Sequence, residues 1–201
     1  LTDGRPALFI DSAKSAASMI TDMVYFDKGK PISRYYDVDI GETQSTMRFN
    51  TLLCTDIDGD GAMDVPFAQL LPGYDSMNSD ERLYLTMGRN FDGTNHKDVL
   101  LADFNYDDGY YFAIPDGWRD NVTLIYDKDT SMHSYRLWSY EQGAAQSELL
   151  RIRRYSAAEY DELDDDQRIE LMRNDTQVWA ARIIMTEGDY AIDKEEAVDC
   201  F

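Results

Sequence analysis

The apolar residues of this 201-residue chain come in short runs, and turn formers cut off each run before it reaches helical length. Residues 7–10 (Ala-Leu-Phe-Ile) and 19–26 (Met-Ile-Thr-Asp-Met-Val-Tyr-Phe) predict strands. Asp27-Lys28-Gly29-Lys30-Pro31 predicts a tight turn into a third strand near 32–38. A strand over 46–54 is expected to run into an acidic stretch, with another from Val65 to Leu71 beyond it. Further strands are expected near 82–87, 97–104, 109–114, 121–126, 133–139 and 147–155. The intervening turns include Asn90-Phe91-Asp92-Gly93, Asn105-Tyr106-Asp107-Asp108-Gly109 and Asp127-Lys128-Asp129. Strands this short and this evenly punctuated predict antiparallel sheets.

The pattern changes at Ser156. Ser156-Ala157-Ala158-Glu159 has the spacing of a capping box and predicts a helix near 157–163. Asp164-Asp165-Asp166 then predicts the start of a second helix through about 173. Thr176 to Met185 reads as a central strand, and Asp193-Lys194-Glu195-Glu196 opens a last helix. The expected class is α+β, mainly β: antiparallel sheets with a C-terminal α+β region. Residues 72–80, rich in turn formers, divide the chain into an expected β-rich segment over 1–72 and an expected second region over 81–201.

The net charge is −20, from 39 acidic and 19 basic side chains. Such a field repels nucleic acid and anionic lipid at long range, which argues against both as partners. No run approaches the roughly 18 apolar residues of a membrane span. The chain opens at Leu1 without an initiator Met or a signal-peptide pattern. We read that as a mature or trimmed piece, with any export signal or lipid anchor in a segment outside it. The two cysteines, Cys54 and Cys200, have no metal-ligand spacing. Cys54 sits in an apolar run and is expected to be a buried free thiol, with a bridge to Cys200 as the alternative.

The most informative segment is Asp56-Ile57-Asp58-Gly59-Asp60-Gly61-Ala62-Met63-Asp64. Asp residues occupy relative positions 1, 3, 5 and 9, and Gly61 falls where a sharp turn is needed. Calcium takes 6 to 8 oxygen ligands, and alternate positions of a tight loop can aim carboxylates inward. The expected metal site is Asp56, Asp58, Asp60, the Ala62 carbonyl and Asp64, with calcium as the ion. It is not an EF-hand, because position 12 is Phe67 and Pro66 opposes an exiting helix.

A strand, then Asp-x-Asp-x-Asp-Gly-x-x-Asp, then Val-Pro resembles the FG-GAP or VCBS calcium loop of β-propeller blades. Asp56, Asp58, Asp60 and Asp64 match that family's ligands one by one. The resemblance covers about residues 45–70. A second likeness, to uncharacterised lipoproteins of Firmicutes, rests on Tyr110-Tyr111-Phe112-Ala113-Ile114-Pro115, Trp118, Glu148-Leu149-Leu150 and Val178-Trp179-Ala180-Ala181. The resemblances imply an exported or cell-surface, lipid-anchored bacterial protein. Without repeats of 20 to 50 residues, an edge blade or a derived β-domain is expected in place of a whole propeller.

No chemical motif competes with the loop. His96 and His133 have no metal-pair spacing, and no Gly-x-Ser-x-Gly elbow or phosphate loop occurs. Asp103 to Asp107 resembles a second acidic loop but lacks the ligand positions, so a plain turn is expected there. Tyr35-Tyr36, Tyr110-Tyr111 and Trp118 are sugar-platform candidates, although one ring of each pair should be core. Arg151, Arg153 and Arg154 are expected to pair with acidic residues near 159–170. The reading is a calcium-stabilised, non-catalytic binding or structural module of an exported surface protein, its partner a cell-surface carbohydrate or protein. The alternative is an accessory or catalytic domain of an extracellular hydrolase.

Overall fold

A computed structural model describes residues 1–201. The chain divides into two compact units, each built from two segments: 1–69 with 84–104, and 70–83 with 105–201. Both are antiparallel β structures, and the chain's two α-helices are short. No helix is long and apolar enough to cross a membrane.

In the first unit, β1 (Ala7–Ser15), β2 (Ser18–Asp27) and β3 (Lys30–Ser33) form a meander in that order. The expected turn is present, with Lys28 and Gly29 both at positive φ. The short pair β4 (Tyr36–Asp37) and β5 (Glu42–Thr43) follows. Next in chain order are β6 (Val65–Leu70), β7 (Tyr84–Phe91) and β8 (His96–Asn105), with β7 hydrogen-bonded between the other two. Alternation along β2 turns Met23 and Tyr25 inward, where they pack with Tyr35, Val65, Phe67 and Phe91.

The strand expected over 46–54 does not form. Only an isolated bridge between Met19 and Arg48 survives there. The reason is the Arg48 side chain, which is fully buried and draws the local backbone around itself. Its guanidinium donates to the carbonyl of Leu52 at 2.7 Å, to Thr21 Oγ1 at 2.9 Å and to Asp11 Oδ1 at 2.9 Å. Asn50 Oδ1 accepts from the Leu52 amide, and Asp11 Oδ2 accepts from the Cys54 amide. Side chains thus meet the backbone's hydrogen-bonding needs here and no ladder is required.

In the second unit the chain runs through β9 (Tyr110–Ala113), β10 (Val122–Asp127), β11 (Met132–Ser139) and β12 (Ala144–Ser156). After α1 (Ala157–Asp161) come β13 (Ile169–Arg173), β14 (Gln177–Ile183) and α2 (Lys194–Asp199). The main sheet has the order β10-β11-β12-β14-β13, so the strand expected from Thr176 is interior. Val178 to Ala181 are all buried, as are Leu149 and Leu150. Adjacent residues of a strand face opposite ways, so these stretches are covered on both faces. Residues 70–83 pack here: Tyr74 Oη donates to the Leu124 carbonyl, and Gly73 lies against the Trp138 ring, where a Cβ would come within 2.6 Å.

Two helical expectations change. Ser156 does cap α1 by accepting from the Glu159 amide, but the Glu159 carboxylate turns to Arg153. The helix expected through 173 is instead the edge strand β13. Asp165 accepts from the Gln167 amide to close a turn, and Ile169 turns inward opposite Ala181. Pairing with β14 outweighs the local Asp signal.

Of the six carboxylates with lowered pKa values, Asp11 and Glu148 are the two that are partly buried. At Asp11, burial raises the value, but hydrogen bonds from Thr21, the Cys54 amide and Arg48 outweigh it. At Glu148 burial again opposes, and Arg151 and Ser134, each 2.6 Å away, prevail. Both groups bind protons less readily folded than unfolded, so their stabilisation is present at neutral pH and lost as pH falls below about 4. Glu148→Gln should therefore flatten the acid limb of a plot of urea stability against pH. An unchanged acid limb would remove Glu148 from that role. Asp11→Ala, which strands the buried Arg48 charge, should cost about 3–5 kcal/mol in urea unfolding. Lys14→Ala, which opens the exposed pair with Glu42, should leave the urea midpoint within error of the wild type's.

Candidate metal site

The acidic loop is pinned at its mouth. Thr55 and Asp64 form an antiparallel bridge, with the Asp64 amide donating to the Thr55 carbonyl at 2.8 Å. Within that closure the carboxylates fold the loop by accepting from its own amides. Asp56 takes Gly59 at 2.8 Å on Oδ1 and Gly61 at 2.9 Å on Oδ2. Asp58 takes Asp60 at 3.2 Å, and Asp60 takes Ala62 at 2.7 Å. Gly59 and Gly61 hold φ of 75° and 85°, a left-handed backbone that side chains resist.

The result brings together Asp56, Asp58 and Asp64, each offering a carboxylate oxygen within 4.8 Å of the others. Asp60 is not gathered with them, since its Oδ1 closes the turn at Ala62 and its Oδ2 lies 3.5 Å from Asn90 Nδ2. Ala62 is buried at the inner side of the loop. Asn90, on β7, is a partner that the local sequence does not mark.

Asp64 is the unusual member. It is fully buried, and its Oδ2 accepts from the Ile57 amide at 2.8 Å, yet its Oδ1 has no hydrogen-bond partner. Its carboxyl pKa is raised, first by burial and then by the charges of Asp58, Asp60 and Asp56, against the Ile57 hydrogen bond. A buried acceptor with nothing to accept is costly, and a negative one more so. A cation among the three carboxylates removes both the orphaned oxygen and the mutual repulsion. The residues fit a hard metal ion, which these three Asp side chains could hold.

The other sequence candidates fall elsewhere. No comparable cluster forms at Asp103 and Asp107. That turn is closed by Asn105, which accepts from the Gly109 amide on its carbonyl and from Asp108 on its side chain. Tyr35 and Trp118 are buried, while Tyr36 and Tyr111 are exposed. Trp118 also donates to the Tyr190 carbonyl at 2.9 Å, which makes it core. Of the basic cluster, Arg153 pairs with Glu159 as expected, but Arg151 takes Glu148 and Arg154 takes Asp108. Cys54 and Cys200 are free thiols, pushed by burial up to about 12 and about 11. His96 packs among Tyr35, Phe67 and Phe91, and His133 Nε2 lies 2.9 Å from Asn105 Nδ2.

No protein-family model matches this chain, and no curated protein or solved structure shows significant similarity to it.

Proposed function

We propose that this chain is a calcium-stabilised, non-catalytic binding or structural module of an exported bacterial surface protein. The observation that carries the reading is the buried, unpartnered Oδ1 of Asp64 beside the carboxylates of Asp56 and Asp58. Calcium suits the donor set better than magnesium. It accepts an irregular shell of carboxylates, a carbonyl such as that of Ala62, and water, whereas magnesium demands a tight octahedron. Asp60 joins the shell directly or through water once its turn relaxes around the ion.

Affinity links the site to location. Asp56 and Asp58 are exposed, and much of the shell is left to water. Such a site belongs with the weaker calcium modules, which fill at about 10⁻⁴ to 10⁻³ M, an extracellular concentration. A net charge of −20 fits an exported, solvated protein that avoids nucleic acid. The partner would be a cell-surface carbohydrate or protein.

Calcium at about 100 times its dissociation constant adds about 2.7 kcal/mol to the state that binds it. For a protein of this size that corresponds to a rise in melting temperature of roughly 5–10 °C. The informative variant is Asp58→Asn, which keeps an acceptor for the Asp60 amide and removes one charge. Its calcium-free melting temperature should equal or slightly exceed the wild type's, while its response to calcium should vanish. Differential scanning calorimetry in EDTA and in 10 mM calcium separates the two. A wild-type melt indifferent to calcium, or an Asp58→Asn melt that responds in full, defeats the reading.

A further inference from the structure

The first unit contains an open surface cleft, called the cavity below, of about 520 Å³, within the roughly 300–1,000 Å³ of small-ligand sites. It is lined by residues 34–38, Ser45, Phe67 and His96. Arg34 sets it apart. The other twelve arginines of the chain all direct the guanidinium at a carboxylate or a backbone carbonyl. Arg34 has neither. Its guanidinium carbon stands 5.1 Å from the ring centre of Phe91 and 6.0 Å from that of Tyr35. Ring faces hold such a cation by its π-surface and leave the N–H donors at its edge open. In a chain with 39 acidic side chains, a guanidinium with no anion is the exception.

The rest of the lining narrows what that anion is. Asp37 shares the cavity and uses Oδ1 for the amides of Asp39 and Ile40, which leaves Oδ2 open to a donor. Ser45 adds an exposed hydroxyl, and the half-exposed Tyr36 adds a ring face. A doubly charged anion would be repelled by Asp37 and by the net charge of −20. A purely apolar ligand would leave Asp37 and Ser45 unmatched, and a neutral sugar would leave Arg34 unmatched. We propose that this cavity binds a hydroxylated ring bearing one carboxylate, the chemistry of a hexuronic acid. The carboxylate lies on Arg34, the ring face on Tyr36, and the hydroxyls on Asp37 and Ser45. This gives a ligand class to the binding-module reading, on which it rests, but it requires no cation at the acidic loop.

The test is an NMR titration of the ¹⁵N-labelled protein in EDTA, with sodium glucuronate as the probe and glucose as the neutral control. Glucuronate should cause saturable shifts at residues 34–38 and His96, and glucose should bind at least about tenfold more weakly. Arg34→Gln should lower glucuronate affinity by about tenfold or more, and Arg34→Lys, which loses the planar fork, should lower it too. Arg34 is exposed and makes no side-chain hydrogen bond, so both variants keep the fold. An unchanged melting temperature checks this. The proposal is overturned by an absence of saturable shifts at these residues, by equal affinity for glucose, or by Arg34→Gln binding as tightly as the wild type. Because EDTA is present throughout, a negative titration leaves the calcium reading intact, and a calcium-insensitive melt leaves this one intact.

Discussion

The first unit is organised around a guanidinium that has been taken out of water. Arg48 is fully buried, and a buried cation must find a counter-charge and acceptors for its remaining donors. It finds Asp11 on β1, Thr21 on β2 and the carbonyls of Thr46 and Leu52. The same Asp11 then reaches the Cys54 amide, one residue before the bridge at Thr55 that closes the acidic loop. A single desolvated charge therefore ties β1, β2, the irregular stretch over 46–54 and the mouth of the loop together. The loop's carboxylates can be held close because the chain entering the loop is fastened by side chains that answer to Arg48.

Asp64 faces the same problem with the opposite sign and meets it differently. Asp11 has an arginine, a hydroxyl, a thiol and an amide around it, and its carboxyl stays below the ordinary value despite burial. Asp64 has one amide, three neighbouring negative charges and an empty-handed Oδ1, and its carboxyl rises. The contrast separates a carboxylate whose partners are built into the fold from one whose partner must come from solution. Either a proton or a cation relieves that oxygen. At neutral pH the exposed Asp56 and Asp58 add negative charge at short range, which favours the divalent ion.

Much of this was legible in the order of residues, and the losses have physical causes. A strand whose burial alternates with period two, such as β2, lies where the run of apolar and turn residues puts it. Ser156 and Asp193 cap their helices from side chains within three residues, so local spacing was enough. Residues 46–54 misled because their apolar alternation is real, but Arg48 answers to Asp11, 37 positions away. Residues 164–173 misled because an Asp that caps a turn and an Asp that caps a helix look alike until the next strand is placed. In the loop, local spacing is enough to bring the carboxylates of Asp56, Asp58 and Asp64 together. Asp60 shares their spacing, but its carboxylate closes the turn at Ala62.

Charge placement, more than charge amount, distinguishes the surfaces of this protein. A formal charge of −20 suggests a uniformly repulsive body, yet almost every arginine is spent inside it on a carboxylate or a carbonyl. Pairs such as Arg173 with Asp161 and Glu170 are exposed and contribute little to stability, but they remove positive charge from the outward field. Two groups stand out against that pattern: the buried Oδ1 of Asp64, which has no hydrogen-bond partner, and the ring-stacked guanidinium of Arg34, directed at neither a carboxylate nor a carbonyl. Packing does not explain Asp64, since an apolar residue there would avoid the cost of a buried acceptor without a donor. The Asp64 oxygen and the Arg34 guanidinium are therefore two places where a ligand of opposite sign gains directly.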